Sequence, residues 1–166
     1  MVLVLTDRLE LRPPLERDRA RFVGLFQDDD FMVFSGGVCS IEDAHARYDQ
    51  MLCNAAEVSF AKQPVIESAT GTIIGYSGVA WFEFEGQSRL EYGYRLVPDA
   101  RGYGYATEAG RALLALAGET FHGELLAMVD PTNLPSQNVI AKLGFTFWKQ
   151  ALVDGWLDNL YRRALP

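Results

Sequence analysis

A glycine-rich turn runs into the first residues of an amphipathic helix in Arg101-Gly102-Tyr103-Gly104-Tyr105-Ala106-Thr107-Glu108-Ala109. Residues 90–97 before this segment alternate with period two, as in a strand, and small apolar residues recur at helical spacing after it. The first turn of a helix has unpaired N–H groups and partial positive charge, and Gly102 and Gly104 can adopt positive φ angles beside it. The segment therefore predicts a phosphate-binding turn; the alternative is a tight strand-to-helix connection without a ligand.

The composition of the 166-residue chain, with 49% hydrophobic residues, predicts a single domain, residues 1–166, with a substantial core. No apolar run is long enough to span a membrane and the start lacks a basic signal region, so we expect a soluble, cytoplasmic protein. The net charge of -7 argues against a nucleic-acid partner. The two cysteines and two histidines are isolated from one another, which gives no support to a metal site.

The hydrophobic periodicities predict the element order β, α, α, β, β, β, α, β, α, β, β. The predicted strands are 6–13, 58–66, 71–84, 89–97, 125–129, 145–152 and 156–165, and the predicted helices are 16–26, 41–55, 106–117 and 135–143. The acidic run 28–30 is expected in a solvated turn, the alternative being a cation-binding lip. Gly75 and Gly78 indicate a bend or bulge in their strand.

Several motifs together resemble the GNAT superfamily of N-acetyltransferases, in the branch that contains the ribosomal-protein N-terminal acetyltransferases. They are the pattern [Gln/Arg]-x-x-Gly-x-[Gly/Ala] at Arg101, Gly104 and Ala106, the segments 91–94 and 106–109, Asn133-Leu134-Pro135-Ser136, Lys142-Leu143-Gly144-Phe145 and the opening 6–13. The resemblance covers nearly the whole chain. It implies a single-domain α/β fold with a mixed, mostly antiparallel sheet of about seven strands and helices on both faces. It also implies a V-shaped opening between the strands that end near Val97 and Val129.

The same resemblance implies acetyl-coenzyme A as co-substrate and no metal. The backbone N–H groups of residues 101–106 would hold the diphosphate, and the main chain near Leu96 would pair with the pantetheine arm and donate to the oxyanion. Asn133 would bind a pantetheine amide. The implied cofactor-binding residues are Leu96, Val97, Arg101, Gly102, Tyr103, Gly104, Tyr105, Ala106, Asn133 and Ser136.

Two residues are candidates for proton transfer. Glu91 lies five residues before Leu96, about 16 Å at ~3.3 Å per residue, which suits the length of the extended arm and a general base at its end. The alternative is a structural carboxylate paired with Arg89 or Arg95. Ser136 is implied by resemblance as the general acid, and both it and Asn133 have helix capping as the alternative.

The residues that bind the acceptor are less defined. By resemblance, the stretch 31–39 selects the acceptor. Asp158 and Glu83 are candidates to bind a cationic acceptor, but the phase of their strands leaves their orientation open. The ribosomal-protein enzymes of this branch use a second glutamate in the sixth strand, where this sequence has Leu152.

The sequence therefore predicts an N-acetyltransferase, a monomer or homodimer, that transfers acetyl directly from acetyl-coenzyme A to a primary amine on a protein N-terminus or a small molecule. One alternative is an acyl-coenzyme A-binding module without catalysis. A second is a nucleotide-binding α/β domain, although the acidic ribose-binding residue of a dinucleotide fold is missing.

Overall fold

The computed structural model describes residues 3–166, which form one sheet of eight strands. The strands are β1 Val4–Leu5, β2 Leu9–Leu11, β3 Gln63–Glu67, β4 Thr72–Phe84, β5 Gln87–Leu96, β6 Gly123–Val129, β7 Thr146–Val153 and β8 Trp156–Leu165. Their order across the sheet is β1-β2-β3-β4-β5-β6-β8-β7. All neighbours are antiparallel except β5 and β6, so the predicted mixed, mostly antiparallel sheet is confirmed. It has one strand more than the seven or so expected because Val4–Leu5 pairs separately with β2.

Five α-helices surround this sheet within the described range. They are α1 Arg19–Phe26, α2 Asp29–Met32, α3 Ile41–Glu57, α4 Tyr105–Gly118 and α5 Leu134–Lys142. Helices α1 to α3 belong to the cluster that buries Phe22, Tyr48 and Tyr76. Another cluster joins Tyr92 to the side chains of α4 and α5. No helix among residues 3–166 is long and apolar enough to cross a lipid bilayer.

The aspartates at 28–30 were expected in a solvated turn but begin helix α2. The side chain of Asp28 accepts a hydrogen bond from the amide of Phe31 at 2.8 Å. Asp29 and Asp30 occupy the first turn, where the helix dipole favours negative charge. Phe31 and Met32 are buried, so their packing holds this short helix against the sheet.

The predicted bulge at the glycines of β4 is confirmed. The register between β3 and β4 shifts between Val65 and Ile66, beside Gly75, which has φ 151°. A Cβ at Gly75 would lie 1.9 Å from the carbonyl oxygen of Arg95, and one at Gly78 would lie 2.4 Å from that of Ala61. Both glycines therefore allow neighbouring backbone to approach closely.

The parallel strands β5 and β6 separate after a short contact. They pair only at Leu90 with Leu125 and at Glu91 with Leu126, although β5 continues to Leu96 and β6 to Val129. The sheet therefore divides at its centre, and the V-shaped opening predicted between these strands is confirmed.

Candidate active site

The divided strands form one side of a cleft of about 520 Å³, a volume typical of small-molecule sites. The cleft is bordered by the ends of β5 and β6, the beginnings of α4 and α5, and the segment that contains α2. Residues from these elements that line it include Phe34, Tyr94, Leu96, Gly102, Gly104, Tyr105, Ala106, Val129, Asp130, Asn133 and Ser136. The structure therefore brings together most of the residues predicted for the cofactor.

Helix α4 begins at the cleft with uncapped amides. Its N-cap is Gly104, with φ 82°, and no side chain caps the helix. The N–H groups of the first turn cannot bond within the helix, so they face the cleft region without a helical partner. Gly102 also has a positive φ, 83°, and open space around its α-carbon. A diphosphate fits the chemistry of this arrangement, since it needs closely approaching backbone donors.

Within this turn, Arg101 is held by hydrogen bonds to neighbouring elements, whereas Tyr103 lies outside the cleft. The amide of Arg101 donates to the carbonyl of Pro98 at 3.1 Å, so the available donors begin at Gly102. The guanidinium of Arg101 donates to the carbonyls of Leu96 at 3.1 Å and Asp30 at 2.9 Å, which ties β5, α2 and the turn together. Tyr103 is 64% exposed and lies outside the cleft lining.

Leu96 and Val97 direct their amides to opposite sides. The amide of Val97 donates to the carbonyl of Ile74 at 2.9 Å, so it points toward β4, and Val97 does not line the cleft. Successive residues of a strand point their N–H groups in alternate directions, so the amide of Leu96 points toward β6 and into the opening. Of the two residues, Leu96 thus has the orientation that the predicted oxyanion donor requires.

At the start of α5, the side chain of Asn133 acts as the N-cap. Its Oδ1 accepts from the amide of Ser136 at 3.2 Å, which is the capping alternative for Asn133. The Nδ2 group of Asn133 takes no part in that bond. The hydroxyl of Ser136 lies near that of Tyr94: burial raises the pKa of Tyr94, and the nearby Ser136 hydroxyl opposes the rise. Sequence reasoning missed Tyr94 as a site residue.

Glu91 forms an ion pair with a lysine that the sequence did not indicate. Oε2 of Glu91 lies 3.4 Å from Nζ of Lys62, and their side chains are 14% and 27% exposed. The predicted alternative partners bind elsewhere: Arg89 contacts Glu124 at 3.3 Å, and Arg95 stacks over Phe31. Burial is the largest single influence on the pKa of Lys62 and lowers it, but the electrostatic attraction of Glu91 and Tyr76 and the hydrogen bond to Glu91 together outweigh burial, so the pKa is raised. Lys62 is therefore protonated beside the carboxylate.

Space beside the Glu91 carboxylate depends on Gly93. A Cβ at Gly93 would lie 2.9 Å from Oε1 of Glu91 and 3.5 Å from Nζ of Lys62. A larger residue at position 93 would occupy the space next to Oε1 of Glu91. The glycine leaves that side accessible to a small group.

The two candidate proton-transfer residues lie on opposite faces of the sheet. Tyr94 is three residues from Glu91 on the same strand, so the two side chains point to opposite faces. Tyr94 packs in the cluster that contains α5, on the side of Ser136. The opening between β5 and β6 connects the two faces, so a group lying in it can be approached from both.

The structure also decides the orientation of the two candidate acceptor-binding carboxylates. Leu126 is paired with Glu91 on one side and with Arg162 on the other, so these three side chains point to the same face of the sheet. Asp158 precedes Arg162 by four residues, an even number, so Asp158 points to that face as well. Burial raises the pKa of Asp158, and the charges of Asp130 and Glu91 raise it further. Glu83 belongs to the opposite face and is exposed, and Leu152 is 71% exposed.

Comparison with known proteins identifies this architecture. The sequence model of the acetyltransferase (GNAT) domain family matches residues 8–146 of this chain. The chain belongs to the GNAT acetyltransferase family. The uncharacterized Bacillus subtilis protein YkkB is 30% identical over 148 residues, which are 88% of this chain and 86% of YkkB. The predicted superfamily is thereby confirmed.

Solved structures of GNAT proteins share the fold over nearly the full chain. An acetyltransferase from Agrobacterium tumefaciens has a TM-score of 0.85 at 26% identity, over 98% of this chain and 94% of that one. The ribosomal-protein α-N-acetyltransferase RimL, solved in complex with coenzyme A, has a TM-score of 0.79 at 16% identity. That alignment covers 99% of this chain and 98% of RimL. At such low identity, the likeness to RimL shows the fold alone.

Proposed function

We propose that the protein is an N-acetyltransferase that transfers acetyl directly from acetyl-coenzyme A to a primary amine, on a protein N-terminus or a small molecule. The observation that carries the proposal is the uncapped first turn of α4 at the mouth of the opening between β5 and β6. Anion-binding amides and a slot between strands are the two features that an extended molecule with a diphosphate at one end requires.

The residues present suit coenzyme A along the length of the cleft. The amides from Gly102 into the first turn of α4 would hold the diphosphate, and the amide of Leu96 would bond the extended arm or the acetyl oxygen. Asn133, already the cap of α5, would offer its Nδ2 group to an amide of the arm. Acetyl-coenzyme A would supply the activated acetyl group as a thioester.

In this proposal Glu91 is the general base. The amine approaches from the face that carries Glu91, and the carboxylate accepts its proton directly or through water. A C–N bond forms to the acetyl carbon as the C–S bond breaks. On the opposite face, the hydroxyl of Ser136, beside Tyr94, donates a proton to the departing sulfur.

Lys62 balances the charge of Glu91, so the negative charge that favours a cationic acceptor comes from two further carboxylates. Asp130 and Asp158 are close enough for the charge of Asp130 to raise the pKa of Asp158. A cation that binds beside such a half-buried carboxylate stabilises its ionised form. Phe34 lines the cleft and is 47% exposed. Trp156, at the start of β8, is 63% exposed and lies near Gly36, which belongs to the same loop as Phe34. These apolar side chains would contact the body of the acceptor, in agreement with the proposed role of the stretch 31–39.

The test combines acetyl-coenzyme A binding with thiol release against a panel of amines and N-terminal peptides. Binding at about 100 times the dissociation constant should stabilise the protein by roughly 2.7 kcal/mol, visible as a higher melting temperature. Replacing Glu91 by glutamine should lower kcat by about 10²- to 10⁴-fold while leaving acetyl-coenzyme A binding nearly unchanged. Glu83→Gln is the matched control, since Glu83 is exposed on the other face of the sheet.

Three results would contradict the proposal. Binding without thiol release on any amine would favour an acyl-coenzyme A-binding module without catalysis. Equal turnover by Glu91→Gln and Glu83→Gln would remove Glu91 from the mechanism, and the absence of any stabilisation by acetyl-coenzyme A would overturn the cofactor assignment itself.

A further inference from the structure

A second cavity lies next to the cleft, on the outer side of α4. It is an open depression of about 850 Å³, and Gly104, Thr107 and Lys142 line both it and the cleft. The two are therefore continuous around the first turn of α4. The second cavity is also lined by Arg8 and Arg111.

Close packing of α4 against the end of α5 brings Arg111 and Lys142 to the same cavity. A Cβ at Gly110 would lie 2.6 Å from Cδ1 of Leu143, so the two helical segments touch at this glycine. Arg111 follows Gly110 and Lys142 precedes Leu143, so each cation is adjacent in sequence to the contact. Both are exposed, and both line the second cavity.

The charges of this cavity are not all equally available. Arg8 is paired with Glu108 at 2.6 Å, stacks over Tyr105 and donates to the carbonyl of Tyr103 at 2.9 Å. Asp7 adds one further negative charge to the lining. Within residues 3–166, Arg111 and Lys142 form no ion pair. Two cations beside an anion-binding turn are notable in a protein whose net charge is -7.

We propose that Arg111 and Lys142 bind the phosphomonoester on the ribose of coenzyme A. The inference rests on the proposed function, because a diphosphate at the first turn of α4 brings that ribose to the rim shared by the two cavities. The phosphomonoester is attached to the same sugar as the diphosphate, so it lies within one ring of Gly104 and Thr107. Arginine and lysine are the side chains that bind phosphate with charge-assisted hydrogen bonds.

The chemical test compares coenzyme A with 3′-dephospho-coenzyme A, which differs only by this phosphate. Calorimetric titration of the wild-type protein should show coenzyme A binding about 10- to 100-fold more tightly. The double substitution Arg111→Gln with Lys142→Gln should abolish the difference by weakening coenzyme A alone. Unchanged binding of dephospho-coenzyme A would also show that the variant is folded.

The control removes two positive charges elsewhere. Arg17 and Arg47 are exposed residues outside both cavities, so Arg17→Gln with Arg47→Gln should keep the full preference for coenzyme A. Equal affinity of the wild-type protein for both compounds would overturn the site, as would a preference retained by the Arg111/Lys142 variant. Lys142 also lies in the last turn of α5, where a cation stabilises the helix, and a purely structural role would lower the melting temperature without changing the preference. If neither compound binds, the proposed function fails, and this site with it.

Discussion

Helices α4 and α5 both begin at the edge of the cleft, but their first turns are completed differently. The amide of Ser136 in α5 is bonded by the side chain of Asn133, whereas α4 starts from Gly104 with no capping side chain. Helix α3, away from the cleft, is capped by Ser40 in the ordinary way. A helix whose amides are satisfied needs no ligand, so the missing cap distinguishes the proposed diphosphate-binding end of the cleft from its other end.

The charges around the two helix starts also differ, with cations near the start of α4 and carboxylates near the start of α5. Arg8 lines the cavity that surrounds the start of α4, and Arg101 lines the cleft there. Asp130 lies near the start of α5, and Asp158 lies close to it on β8. The cleft therefore has a cationic end suited to a diphosphate and an acidic end suited to an amine.

The largest expected effect comes from placing a negative charge in the turn before α4. Gly102→Asp should weaken acetyl-coenzyme A binding by at least about 100-fold, because the carboxylate repels the diphosphate and occupies its space. The strain of a non-glycine residue at φ 83° should cost only ~1 kcal/mol. Calorimetry gives the affinity and thermal melting gives the stability.

Gly86→Asp is the matched control, since Gly86 has φ 74° and equally open surroundings in the β4–β5 turn. It should lose similar stability and bind acetyl-coenzyme A normally. If the two variants bind equally well, the start of α4 is not the diphosphate site.

At the start of α5 the expected effect is on the chemical step. Ser136→Ala should lower kcat by about 10²-fold with little change in the KM for acetyl-coenzyme A, because it removes the proposed proton donor. Tyr94→Phe should have a smaller effect in the same direction, since Tyr94 acts through Ser136. Steady-state kinetics on one amine would measure both. An unchanged kcat in Ser136→Ala would leave Ser136 with a role in the helix alone.

Removing the caps of α5 and α3 separates stability from binding. Asn133→Ala and Ser40→Ala should each cost about 1 kcal/mol, or roughly 2–4 °C in melting temperature. Asn133→Ala alone should raise the KM for acetyl-coenzyme A, because Asn133 lines the cleft and Ser40 does not. A similar rise in both variants would mean that the effect spreads through the whole fold.

The smallest effect concerns the acidic end and depends on pH. Because the pKa of Asp158 is raised in the folded protein, mainly by burial, its ionisation destabilises the fold. This penalty is present above the raised pKa and disappears as the pH falls toward the ordinary aspartate value near 3.8. Asp158→Asn should therefore raise the melting temperature at pH 7 by ~1–3 °C, an effect limited by solvent screening, and lose that gain in acid. An equal gain at both pH values would contradict the titration of Asp158.

The local signals predicted the elements well. The two glycines before α4 do adopt positive φ angles, and α3 begins at Ile41, the first residue of its predicted range. The predicted strands 145–152 and 156–165 pair as a hairpin, whose turn contains Asp154 with φ 49° and Gly155 with φ 84°. Each of these depends on residues within a few positions, which sequence reasoning can evaluate. The helix at Asp29–Met32 was missed because its stability comes from burying Phe31 and Met32 against distant parts of the chain.

The site was only partly accessible from the sequence. The spacing along the strand predicted Glu91 and motif resemblance predicted Ser136, but neither indicated Lys62, which is 29 residues from its partner and follows no recognisable pattern. Tyr94 belongs to the motif segment 91–94, and strand alternation could have placed its side chain on the opposite face of the sheet from Glu91. Its contact with Ser136, however, depends on how α5 packs on the sheet.

The sequence by itself determined where a helix would begin without a cap, because glycine conformation and helix amides are local properties. It also determined the family, through motifs spread along the chain. Only the tertiary structure decided at which residues β5 and β6 separate, that Lys62 neutralises Glu91 and that Asp158 shares the face of Glu91. These are contacts between residues far apart in sequence, and they exist only after the sheet has assembled.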